Sequence, residues 1–420
     1  MTTTESAETR RPRAATRRRL SVVGSLWLVA NIGFTFFFLT VATILLDRGV
    51  GLGTVALINL LGAIYFGRFL VAPVVDRFGS RRFGHYRGWL LLTQAGLILT
   101  LVALSVLDPV ANLPGFLALM SLMLLLTLFH DTALNGLVVR LLPPAERGFG
   151  NGISMAAASG SMLIGSSGAL LLYTHAGWTV TVLCLTAVFL IPFAVLARFT
   201  EPPGDPAERA GAPWRELLGY FRHPRMAVWA LVVIPVFAVS DWLASAPRAA
   251  MLLAAGWTVD RIAVIQSLAT AVQIAAALLT GAAITRYGKR RTALVIGVLG
   301  AIAVAASFPL AAGSAPLVPT TMAVMGVTVV YAAKITWIAT VCMDLARPAS
   351  AATDFSVPMS IEGVFVTVVN SAGFGLAAAV GFPWLMVLAL VLAVVGAAVG
   401  PAWVRRYDDP IPVRDKVVAG

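Results

Sequence analysis

FHDTALNGLVVRLLPPAERGFGNG, Phe129 to Gly152, decides the fold. It begins inside an apolar run, yet carries His130 and Asp131 there. An ionised group at bilayer depth costs several kcal/mol, so both must face protein or a water-filled cavity. On a helix, Thr127, Asp131 and Asn135 fall at i, i+4 and i+8 and share a face. YAAKITWIATVCMDLARPASAATDFS, Tyr331 to Ser356, repeats the layout, with Lys334 in the place of His130 and Pro348 in that of Pro144. Two halves with ionisable groups at the same depth read as a duplicated membrane transporter.

Composition supports a membrane class. The chain is 59% hydrophobic and 12% charged, against about half apolar and a quarter charged in soluble domains. Several apolar runs exceed the roughly 18 residues that mark a membrane-crossing helix. Twelve helices are expected, at 20–46, 52–75, 88–107, 114–141, 150–173 and 178–198, then 226–252, 259–284, 292–312, 317–342, 355–380 and 383–404. The fold class is therefore an all-α membrane protein of twelve transmembrane helices in two six-helix bundles. Residues 1–19 form a basic tail, 20–198 and 226–404 the bundles, 199–225 a polar linker rich in Pro and Gly, and 405–420 a second tail. Within the linker, Trp214 to Phe221 reads as a short helix on the membrane surface. The basic start followed by an apolar run is not a signal peptide, since the run from Leu20 to Leu46 is too long and leads into another span.

A net charge of +12 raises a nucleic-acid partner, but the cations sit between spans. With the N-terminus in the cytoplasm, 26 of the 31 Lys and Arg lie inside, against Arg48, Arg248 and Arg261 outside. That bias places both termini in the cytoplasm of a bacterium, with the chain in its inner membrane. Arg68 and Lys334 remain, both within helices. Cys184 and Cys342 sit in apolar helices without metal-ligand spacing, and no metal or cofactor is expected.

PVVDRFGSRRF and GAAITRYGKRRTA follow the second and eighth helices and share Arg, aromatic, Gly, x, Arg, Arg. Gly79 and Gly288 are expected to permit tight turns. Arg77, Arg81, Arg82, Arg286, Arg290 and Arg291 mark the cytoplasmic face, and Asp76 can pair with an arginine or cap a neighbouring helix. These loops resemble the G-x-x-x-D-R-x-G-x-R-R pattern of the major facilitator superfamily, with Ala72 at the leading Gly of the first copy and Thr285 at the acid of the second. Closer resemblance is to AmpG-type muropeptide permeases and RhtX/FptX-type siderophore permeases. It is carried by GRFLVAPVVDR, RGWLLLTQAG, HDTALNGLVVRLLPPAERGFGNG, SDWLASAPRAAMLLAAGW and AATDFSVPMS. Muropeptide permeases are often longer, so twelve spans in 420 residues lean toward the siderophore branch. The resemblance implies an importer of a small organic solute working by alternating access, as a monomer.

Helix rise places Lys334 roughly 15 Å and Asp131 roughly 16 Å from the inner helix ends, near the midplane. Arg68, Asp241 and Glu362 complete the intramembrane set. Two cations against three acids leave one carboxyl free to carry a proton, the simplest basis for proton coupling; Asp131 is favoured, with Glu362 and Asp241 as rivals. Pocket candidates are Asn31 and Thr35; Thr127, His130 and Asn135; Gln266, Thr270 and Gln273; and Tyr331 and Trp337. The small residues of helix five read as a sliding interface, with helix eleven as its counterpart. No GxxxxGK[ST] loop points to ATP coupling, and no nucleophile triad points to an enzyme. A drug exporter, a muropeptide permease, a membrane enzyme and a receptor are the competing readings.

Overall fold

The structure is a computed structural model describing residues 5–50, 67–80, 82–202 and 213–407. Among these, regular structure is helical, apart from one bridge between Ser80 and Gly84. Helix α1 (Glu5–Thr35) continues through a π-helical stretch, Phe36–Val41, into Ala42–Asp47. Helix α2 (Arg68–Arg77) is the described end of the second span. The expected start of that span, Arg81, most of the polar part of the linker and the last tail lie outside the described residues. Helices α3 (His85–Ser105) and α4 (Leu113–Leu141) follow.

Pro144–Arg198 is one helical run of 55 residues, far longer than the roughly 20 that cross a bilayer. Gly177 breaks it at φ 76° and ψ −179°, a backbone open to glycine alone, giving α5 (144–176) and α6 (178–198). The surface helix expected in the linker is α7 (Pro213–Arg222). Then come α8 (Pro224–Ala254), α9 (Val259–Tyr287), α10 (Lys289–Ala305), α11 (Leu317–Leu345), α12 (Ala351–Val380) and α13 (Phe382–Tyr407). Nine runs among the described residues are long and apolar enough to cross a membrane. The break at Gly177, with α1 and the span ending in α2, completes the twelve.

Helix starts precede expectation most at three places: α1 begins at Glu5, so residues 5–19, expected as a tail, are helical, and two further helices start early where a charged turn precedes an apolar run. Helix α5 begins at Pro144 and α12 at Ala351, ahead of the expected 150 and 355. Apolar length marks only the part in hydrocarbon, whereas Pro144 at the first helical position starts the helix outside it.

The bundles meet along α5 and α9, where backbones touch. A Cβ on Gly281 would stand 2.6 Å from the Gly148 carbonyl oxygen, and one on Gly152 would stand 2.7 Å from that of Ala277. The small-residue interface of α5 is therefore built against α9; α12, its expected counterpart, packs on α2 and α4.

Hydrogen bonds tie the halves at the end that carries the basic loops. Asp76 accepts from Ala352 N (3.0 Å), Thr353 N (2.8 Å), Thr353 Oγ1 (2.6 Å) and Tyr86 Oη (2.6 Å), capping α12 from the other bundle. Arg140 donates to the Pro348 carbonyl at 3.0 Å. Asp344 holds Arg147 of α5 at 2.8 Å and Lys289 of α10 at 2.9 Å. At the start of the linker, Glu201 accepts from Arg87 N at 2.9 Å, a matching cap on α3.

The loop residues divide between turns and surface. Gly288 has φ 81° and makes its turn as expected. Gly79 does not: its positive-φ neighbour is Gly84, at 91°. What Gly79 supplies is room, since a Cβ there would fall 2.0 Å from His85 Nδ1. Arg77, Arg82, Arg286, Arg290 and Arg291 are exposed.

Candidate functional site

Lys334 is buried, and its Nζ lies 2.8 Å from the Asp241 carboxylate, with side-chain exposures of 3% and 4%. It also donates to the Phe237 carbonyl at 2.7 Å and sits 4.9 Å from the Phe237 ring centre. Buried charge is tolerable when paired and hydrogen-bonded in this way. Tyr331, Lys334 and Trp337 do share a face of α11, and that face is turned to α8. Tyr331 meets Trp242 edge to face at 4.8 Å. Trp337 packs in an aromatic core with Phe237 (4.9 Å) and Trp229 (5.5 Å), its indole donating to the Lys289 carbonyl. It is core, not cavity wall.

Glu362 of α12 is buried beside the Trp242 indole, within the field of Tyr331 and of Arg68 from α2. This second charged cluster bridges the bundles. A third lies on α4, where Thr127, His130, Asp131 and Asn135 are all buried and His130 Nδ1 is 3.9 Å from Asp131 Oδ1. Lys334, expected at the same depth as Asp131, is held by Asp241 in the second bundle, while Asp131 lies beside His130 on α4 of the first. On α1, Thr35 Oγ1 donates to the Asn31 carbonyl and Asn31 Nδ2 to that of Trp27 at 3.4 Å.

At the end of the molecule away from the basic loops, a cavity of about 340 Å³ opens between Met162 of α5 and helices α8, α9 and α11. Gln266, Thr270 and Gln273 line it, one stripe of α9 brought together as its spacing predicts. Opposite them is Arg248, donating to Thr328 Oγ1 at 3.1 Å. Charge topology counts Arg248 with the outer cations; the structure sets it in the wall. The expected helix 226–252 already contains Arg248; the structure breaks it at a turn over residues 246–247 and restarts it at Arg248, which turns this side chain toward Thr328. Arg248 adds a cation facing the cavity that the count of two cations against three acids left out.

Two helical bundles latched at one end, with a cavity at the other that the second bundle walls and Met162 of the first adjoins, have the build of an alternating-access transporter. The chain belongs to the Major Facilitator Superfamily, whose sequence pattern residues 23–364 match. It is 27% identical over 300 residues to the anhydromuropeptide permease of Escherichia coli K12, covering 69% of this chain and 58% of that protein. Among solved structures, the human organic anion transporter TETRAN superposes with TM-score 0.70 at 12% identity, covering 91% and 99% of the two chains. The transporter FucP, in an outward conformation, superposes with TM-score 0.67 at 15% identity, covering 92% and 97%. These structures share the fold. The named relative is a muropeptide permease, and it lends no support to the siderophore expectation.

Proposed function

We propose that this chain is a muropeptide permease: a secondary transporter that carries sugar–peptide solutes inward across the bacterial cytoplasmic membrane, driven by protons. The observation that carries the reading is the cavity where the Arg248 guanidinium faces Gln266, Thr270 and Gln273. A guanidinium grips a carboxylate of the peptide through paired N–H donors, while amides and hydroxyls match sugar hydroxyls. The likeness to the anhydromuropeptide permease supports the same class. With the basic loops in the cytoplasm, the latched end is the inner one and the cavity opens outward.

Alternating access then requires the Asp76, Arg140 and Asp344 contacts to break while the outer ends close over the solute. Glu362 of α12 lies in the field of Arg68 from the other bundle, so an exchange that moves the bundles apart changes its surroundings. It replaces Asp131 as the favoured proton carrier. Uptake of a labelled anhydromuropeptide by cells lacking their own permease tests the reading. Expression of this chain should give accumulation that a protonophore abolishes, and Glu362→Gln should lose it. Accumulation of a ferric siderophore instead, with none of the muropeptide, would overturn the assignment.

A further inference from the structure

The flank of the second bundle carries a groove of about 530 Å³ between α9 and α10, floored by Val329, Val330 and Ala333 of α11. It shares no residue with the Arg248 cavity. Its rim residues Leu279, Val295 and Leu299 are exposed, which in a membrane-spanning chain means contact with lipid tails. Along α9 the lining runs from Ala276 to Tyr287, about 16 Å of helix rise, close to half of a hydrocarbon core about 30 Å thick. The groove is therefore one leaflet deep. At its end stands Arg291, the charged residue of the lining. Arg286 lies against the Tyr287 ring at 5.6 Å, at the same level.

We propose that this groove is a binding site for an anionic phospholipid of the leaflet on the side of the basic loops. One acyl chain lies between α9 and α10 and the phosphate sits on Arg291. Two features carry the assignment together. Apolar walls of one-leaflet length match a single chain, and a cation at headgroup height matches the charge of the head. Basic pockets between transmembrane helices select anionic heads over neutral ones in this way. An occupied groove braces α9 and α10 against α11, the helix that carries Lys334. A Cβ on Gly300 of α10 would lie 3.5 Å from Lys334 Nζ, so the brace reaches the buried ion pair.

The test is native mass spectrometry of the full chain in detergent, mixed with equal amounts of phosphatidylglycerol and phosphatidylcholine. Wild type should retain phosphatidylglycerol several-fold over phosphatidylcholine. Arg291→Gln should erase the preference while total lipid stays. Ala283→Trp, which fills the groove, should lower retention of both lipids, with Val295→Trp as the equivalent from the other wall should the first variant not elute as a single folded species. Glycerol phosphate should not displace the bound lipid. Equal retention of the two lipids by wild type, unchanged retention in the filled-groove variants, or displacement by glycerol phosphate would each overturn the site.

Discussion

Lys334 and Asp241 form a buried ion pair 2.8 Å apart that joins α11 to α8 within one bundle. Removing one partner of such a pair leaves an uncompensated charge, at about 3–5 kcal/mol. Replacing both with apolar residues of similar volume is often neutral. Lys334→Met should therefore destabilise the protein by that order, and the double variant Lys334→Met/Asp241→Leu should regain most of the loss. Thermal unfolding in detergent measures it. A double variant no more stable than the single would show that the pair does not act as a unit.

Arg248 is placed to recognise an acidic group from the cavity wall. Arg248→Ala should raise KM for an anionic solute about tenfold or more, the order expected when a charge-assisted hydrogen bond worth about 1.5–3 kcal/mol is lost. Arg248→Lys should recover only part, because a point charge does not reproduce the planar fork. Concentration-dependent uptake in proteoliposomes separates KM from maximal rate. A change confined to the maximal rate would argue for a role in the conformational cycle instead.

The twelve spans and their division were legible in sequence because lipid imposes length and hydropathy on each helix, and basic loops mark one face. Side-chain partnership was not. Tyr331, Lys334 and Trp337 share a face by their spacing alone, but spacing does not say whether that face meets water or another helix. Here α8 covers it. The stripe Gln266, Thr270, Gln273 has the same kind of signal and does line a cavity. Arg248 was hidden because charge topology counts it with the outer cations, and neither charge nor hydropathy shows the turn over residues 246–247 after which the helix restarts at Arg248. The Gly281 contact with Gly148 was invisible because it depends on two distant helices approaching through backbone.

At the end of the molecule opposite the latch, Arg48 and Asp108 pair at 2.8 Å on the surface. The Ala111 backbone N–H, then the Arg48 guanidinium and the Val110 N–H, hold the Asp108 carboxyl down to about 2. A lowered folded-state value means that the contact persists above the ordinary carboxylate range and weakens only as pH falls toward that value. Asp108→Asn should therefore leave the pH profile of transport between about pH 5 and 8 unchanged in shape. A moved inflection in that variant would place a titrating group of the cycle at this surface.

Asp76 holds the basic-loop end shut through the start of α12. Its carboxylate accepts both backbone N–H groups of Ala352 and Thr353 and the Thr353 hydroxyl, satisfying helix-end donors that have no partner within α12. The contact crosses between bundles, so it exists only while that end is closed and biases the equilibrium toward that state. Hydrogen bonds to a charged acceptor contribute about 1.5–3 kcal/mol each in net terms, and about 1.4 kcal/mol is a tenfold change in population. Asp76→Ala should thus shift the balance toward the state open on the basic side by tenfold or more. Thr353→Val, which removes one of the donors, should shift it less in the same direction. Spin labels at the exposed positions Arg82 and Arg290, one on each bundle, report the separation directly. The long-distance population should grow from wild type through Thr353→Val to Asp76→Ala, and an unchanged distance distribution in Asp76→Ala would mean that other contacts keep this end closed.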